Sequence, residues 1–84
     1  MIKVYTTPSC VQCNQTKKIL DQNSIPYEAI DLSTDAEAMT MVKAMGYSSA
    51  PVVVTENSHW SGFRLEKLKD YIATHKEKHD TINP

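Results

Sequence analysis

In this 84-residue chain the two residues best suited to chemistry are its two cysteines, arranged as Cys10-Val11-Gln12-Cys13. A C-x-x-C serves either a reversible dithiol–disulfide couple or half of a four-ligand metal site. Residues i and i+3 share one face of a helix, close enough for their sulfurs to bond with little backbone movement. Where the pair opens a helix, the free N–H groups and positive dipole end of the first turn stabilise a thiolate at Cys10 better than at Cys13, one turn deeper. Cys10 is then the attacking nucleophile. Cys13 resolves the mixed disulfide by attacking the Cys10 sulfur and releasing the partner reduced. Lys17 and Lys18 add positive charge to the same helix, where exposed lysines ordinarily serve solvation.

The metal alternative needs two more ligands. His75 and His79 have H-x3-H spacing, yet they stand far downstream in a polar stretch, whereas a zinc finger separates its ligand pairs by roughly a dozen residues. His59 is a third candidate, as ligand or acid–base group, but a lone His in a hairpin is ordinarily surface polar. No bound metal is therefore expected.

The elements around the cysteines support the redox reading. Ile2 to Tyr5 alternates and is rich in β-formers, which predicts a first strand ended by Thr6-Thr7-Pro8-Ser9. A helix follows: Ser9 and Gln12 fit a capping box that makes Cys10 the first helical residue, with the helix running to about Gln22. Thr7 as cap with Pro8 at the first position is the competing reading. Ile25 to Leu32 predicts a second strand, parallel to the first through a right-handed crossover. Thr34 and Glu37 form another capping box, and Ala38, Met41, Val42 and Met45 give one buried helix face that Gly46 stops. Pro51 to Thr55 and His59 to Ser61 read as a hairpin across Glu56-Asn57-Ser58. Leu65, Leu68, Tyr71 and Ile72 mark a third helix.

The predicted order is β-α-β-α-β-β-α in one α/β domain spanning 1–74, followed by a polar tail at 75–84 that is expected to fray. Nine basic and ten acidic residues leave a formal charge of −1 without a basic patch, which argues against nucleic acid as a partner. No stretch approaches the roughly 18 apolar residues of a membrane span, and Met1-Ile2-Lys3-Val4-Tyr5 reads as a strand, not a secretory leader. The expected compartment is the cytosol, where a close cysteine pair is more often catalytic or metal-binding than structural. A chain this short buries only about 60% of its unfolded surface, so two independent sites are not expected.

C-V-Q-C at residues 10 to 13, Ala50-Pro51-Val52 and Trp60-Ser61-Gly62-Phe63-Arg64 occur in the order and at the separations found in the glutaredoxin-like NrdH-redoxins, and the chain to about residue 74 resembles that family. The resemblance implies a thioredoxin-like fold of glutaredoxin type, with a four-stranded mixed sheet flanked by three helices. It implies a cis Ala50-Pro51 bond beside the cysteines, which offers backbone to an incoming chain; residue type alone gives that isomer in only about 5–6% of cases. It also implies reduction by thioredoxin reductase with NADPH, no bound cofactor, and electron donation to the large subunit of class Ib ribonucleotide reductase. Trp60 to Arg64 would order the loop near the redox pair and shape the partner surface with Val11, Gln12, Ala50 and Pro51; Trp60 and Phe63 are then exposed aromatic anchors in a stretch that ends in Arg64, the alternative being plain hairpin packing. The chain is expected to act as a monomer.

Glutathione-using glutaredoxins place a glycine pair and an acid where this chain has Ser61-Gly62-Phe63-Arg64, so the glutathione site looks incomplete. A glutathione-dependent glutaredoxin and a metal or iron–sulfur module remain the alternatives. Two positions depart from the family pattern. Leu65 stands where Pro is usual after the Arg, and Thr7 stands where a basic residue is common, which removes one charge near Cys10.

Overall fold

A computed structural model describes the backbone of residues 2–82 and the side chains of residues 2–74. In chain order the elements are β1 (Ile2–Thr6), α1 (Val11–Gln22), β2 (Tyr27–Asp31), α2 (Ala36–Ala44), β3 (Val52–Val54), β4 (His59–Ser61) and α3 (Leu65–Ile82). The strands form a mixed sheet in the order β2-β1-β3-β4. β1 runs parallel to β2, with Val4 opposite Ala29, while β3 is antiparallel to both β1 and β4. The order of elements along the chain and the four-stranded mixed sheet are as expected. The backbone of α3 passes Thr74 without a break. The expected tail, residues 75–84, otherwise lies outside the described residues.

Both faces of the central strands are covered, as the period of two along a strand requires when helices lie on each side. Ile2, Val4, Val53 and Trp60 pack with Leu20, Ile25, Leu68 and Ile72 beneath α1 and α3. Tyr5 and Val52 turn the other way and pack with Leu32, Ala38 and Val42 beneath α2.

Several boundaries differ from the sequence expectation, each for a local reason. Ser9 is not the cap of α1: its φ of 58° places it in a left-handed turn, and Pro8 precedes the helix altogether. Cys10 itself is the N-cap, in extended conformation, with its sulfur accepting from the Cys13 N–H. β2 begins only at Tyr27 because the Ile25 N–H turns back to the Leu20 carbonyl at 2.9 Å and Pro26 has no N–H to give. Asp35, not Thr34, caps α2, its carboxylate accepting from the Ala38 N–H at 3.0 Å, while the Thr34 hydroxyl donates to the Asp31 carbonyl. The predicted stripe on α2 is rotated: Ala38 and Val42 are buried, Met39 packs beside them, and Met41 is 39% exposed.

The end of α2 follows the sequence closely. Gly46, at φ +93°, donates to the Lys43 carbonyl, and Tyr47 donates to the Val42 carbonyl. This is a Schellman stop, which needs a residue that tolerates positive φ. It reverses the chain into the loop that delivers Ala50 and Pro51 to the site. β3 is shorter than predicted because Thr55 belongs to the turn, its N–H bonded to the Ser58 carbonyl and its hydroxyl oxygen accepting from the Ser58 N–H.

Candidate redox site

Cys10 and Cys13 are joined in a disulfide with their Cα atoms 5.2 Å apart. The two sulfurs differ in setting. Cys13 is 1% exposed against the core, whereas Cys10 is half-buried at the rim. The Cys13 N–H points at the Cys10 sulfur from 3.1 Å, and the Asn14 N–H donates to the Cys10 carbonyl at 3.2 Å. The second is the first regular bond of the helix, whereas the Cys13 N–H is an orphan donor of the first turn spent on the Cys10 sulfur, the position where an added negative charge is best tolerated.

Val11, the first helical residue, is 71% exposed directly beside Cys10. An exposed β-branched residue there gains nothing for the core and presents an apolar contact next to the reactive sulfur. Lys17 lies close enough to Asp31 to help hold that carboxyl below its ordinary range, the larger causes being hydrogen bonds from the Ser33 hydroxyl and N–H.

The other two sequence motifs converge around the pair. The Ala50-Pro51 bond is cis, as the resemblance implies, and Pro51 is buried where it opens β3. The Ser61 hydroxyl donates to the Ser49 carbonyl at 3.0 Å, the Gly62 N–H to the Pro51 carbonyl at 2.8 Å, and the Phe63 N–H to the Gln12 side-chain oxygen at 3.2 Å. Three consecutive residues therefore tie the proline loop and the C-x-x-C to one another. Gly62, with φ +89°, is the position where this turn requires glycine.

Trp60 does not serve as the exposed anchor expected of it. It is 5% exposed, because its partner in the β3–β4 register is Val53 and both face the α1–α3 side. Lys67 Nζ lies over its ring, 5.9 Å from the centroid. Phe63 packs against the same cluster. Arg64 is exposed and gives its carbonyl to the Leu68 N–H in the first turn of α3. Leu65, in place of the usual proline, still begins the helix.

Sequence reasoning missed a cavity of about 370 Å³ that opens beside Ala50 and Thr7 and is lined by Leu32, Met39, Val42 and Tyr47. The Met-containing stripe was its one signal, but Met39 was not in it. A hollow of about 400 Å³ between the β3–β4 turn and α3 includes neither cysteine. Among the described residues no three His, Cys, Asp or Glu side chains converge as a metal site would need, and His75 and His79 lie outside them. His59 is hydrogen-bonded through Nδ1 to the Tyr47 hydroxyl at 2.6 Å. Among the described residues no helix is long and apolar enough to cross a membrane.

Comparison with known proteins places this geometry. The Glutaredoxin family model matches residues 2–60. The chain is 36% identical over 67 residues to the glutaredoxin-like protein NrdH of Escherichia coli K12, covering 80% of this chain and 83% of that protein. It is 34% identical over 68 residues to the NrdH protein of Lactococcus lactis subsp. lactis, covering 81% and 94%. The solved structure of the Escherichia coli NrdH-redoxin, described as having a thioredoxin-like activity profile, superposes with a TM-score of 0.80 at 33% identity, over 82% of this chain and 91% of that one. With motif order, fold and relatives in agreement, the chain belongs to the NrdH-redoxins of the glutaredoxin family, thiol–disulfide oxidoreductases of thioredoxin fold, and its disulfide-forming pair is Cys10–Cys13.

Proposed function

We propose that this protein is a cytosolic protein-disulfide reductant that takes electrons from NADPH through thioredoxin reductase. It passes them to the large subunit of class Ib ribonucleotide reductase, so supporting deoxyribonucleotide synthesis and cell redox homeostasis. The observation that carries the reading is the asymmetric pair: a rim sulfur at a helix N-cap, backed by a buried one a turn away. In the reduced protein the Cys10 thiolate attacks one sulfur of a partner disulfide, and the other partner sulfur leaves as a thiolate. Cys13 then loses its proton and attacks the Cys10 sulfur. The Cys10–Cys13 disulfide forms, and the partner departs with both its thiols and two electrons.

The partner would meet Val11 and the backbone beside Pro51. Among the described residues the Ala50 N–H and carbonyl have no hydrogen-bond partner, so they are available for a strand-like pairing with an extended segment. Trp60 supports this surface from beneath, while Phe63 and Arg64 edge it. The protein would work as a monomer and without a resident cofactor.

The source of electrons separates this reading from a glutathione-dependent one. NADPH with thioredoxin reductase should drive reduction of a protein disulfide, and glutathione with glutathione reductase should drive it far less well. Efficient turnover with glutathione and none with thioredoxin reductase would overturn the assignment and leave the dithiol chemistry standing.

A further inference from the structure

Gln12 stands between the two cysteines, on an exposed position of the first turn of α1. Nothing in the dithiol chemistry calls for a carboxamide there. Its side chain nevertheless reaches across to a residue 51 positions away, where the oxygen accepts the Phe63 N–H at 3.2 Å. The donor is a backbone N–H, so the atom facing it must be the carboxamide oxygen and not the nitrogen. The preceding residue, Gly62, donates to the Pro51 carbonyl, and the residue before that, Ser61, donates to the Ser49 carbonyl. Of these three ties, two hold the β4–α3 turn to the proline loop. The third is the one that brings in the C-x-x-C.

We propose that Gln12 is a positioning residue whose side-chain oxygen, by holding the Phe63 N–H, fixes the C-x-x-C in register with the Ala50-Pro51 and Phe63-Arg64 surface that a protein disulfide must engage at the same time. The proposal rests on the dithiol reading. A small disulfide touches Cys10 alone and has little use for that register. A protein segment that pairs with Ala50 while presenting its sulfur to Cys10 depends on it, since a misplacement of about 1 Å at a reacting centre is costly.

The test compares wild type, Gln12→Leu and Gln12→Glu, each pre-reduced and then oxidised in a single turnover by insulin or by hydroxyethyl disulfide. Leu fills similar space without an acceptor. Glu keeps an oxygen within reach of the Phe63 N–H and adds a negative charge that moves the pH profile upward. Gln12→Leu should lose roughly two- to tenfold more rate on insulin than on hydroxyethyl disulfide, the range set by the net value of one hydrogen bond. Gln12→Glu should recover the insulin rate on the high-pH plateau, where the added charge no longer limits thiolate formation. Amide exchange at Phe63 should quicken in the Leu variant and not in the Glu variant. Equal losses on the two disulfides, equal damage from the two substitutions, or unaltered exchange at Phe63 would each overturn the proposal. A wild-type protein inert toward both disulfides would instead sink the dithiol reading, and the exchange comparison would still decide whether Gln12 holds the turn.

Discussion

The difference between the two sulfurs is one of place, not of residue type. Cys10 sits at the N-cap with a backbone N–H directed at its sulfur, and Cys13 lies buried beneath it. A partner sulfur can approach the first and not the second, and a thiolate is stabilised at the first. Cys10→Ser should therefore abolish disulfide reduction. Cys13→Ser should still attack and then stall as a covalent mixed disulfide, visible on a non-reducing gel; the reverse pattern would exchange the two roles. The pair and its place were legible in the sequence, because the two cysteines lie three residues apart and a helix start could be read around them. Gln12 was legible only as part of a motif, since its partner at Phe63 depends on how the turn at Gly62 folds. Trp60 takes the packed place and not the exposed one of the two open to it: its side chain follows the β4 register with Val53 into the core, and a short hairpin arm gives no periodicity from which to infer that.

Every predicted element is present, and apart from the rotated face of α2 the differences lie at the ends, where neighbouring residues compete to cap. Thr34 and Asp35 both suit an N-cap, and a carboxylate accepting the Ala38 N–H prevails over a hydroxyl. The turn that delivers α2 is fixed just upstream by Asp31, whose carboxylate accepts from the Ser33 N–H at 2.8 Å and from the Ser33 hydroxyl at 2.6 Å. Those bonds favour the charged form and hold the carboxyl below its ordinary 3.8. A carboxyl lowered by folding stabilises the fold fully above its unfolded value, and the contribution fades as pH falls through the folded value. Ser33→Ala, which removes the hydroxyl donor, should raise the Asp31 pKa in a carboxyl NMR titration. It should also lower the urea midpoint near neutral pH, with the gap to wild type closing on acidification below 3.8. A gap that stayed constant with pH would show that the Ser33 hydroxyl acts otherwise than through the Asp31 charge.

On the scale of the molecule, the two core clusters lie on opposite faces of one sheet and share its strands. β1 sends Val4 toward α1 and α3 and Tyr5 toward α2, and β3 sends Val53 and Val52 the same two ways. Neither cluster can open without stripping the strands from the other, so the domain should unfold as one unit, as small single domains ordinarily do. Trp60, the one tryptophan of the chain, reports on this from the α1–α3 face. Val42 lies on the far face, 3% exposed beneath α2. Val42→Ala removes two buried carbons and leaves a partial cavity, at a cost of about 2–3 kcal/mol. That is a large share of the roughly 5–15 kcal/mol that holds a domain together. The urea midpoint read by Trp60 fluorescence should therefore fall by the same amount as the midpoint read by far-UV circular dichroism, although Val42 and Trp60 belong to different clusters. If the fluorescence midpoint stayed in place while the dichroism midpoint fell, α2 would be a separately unfolding layer. The redox site would then rest on α1, β1, β3 and α3 alone, with the cavity beside Ala50 able to come and go without loss of the disulfide.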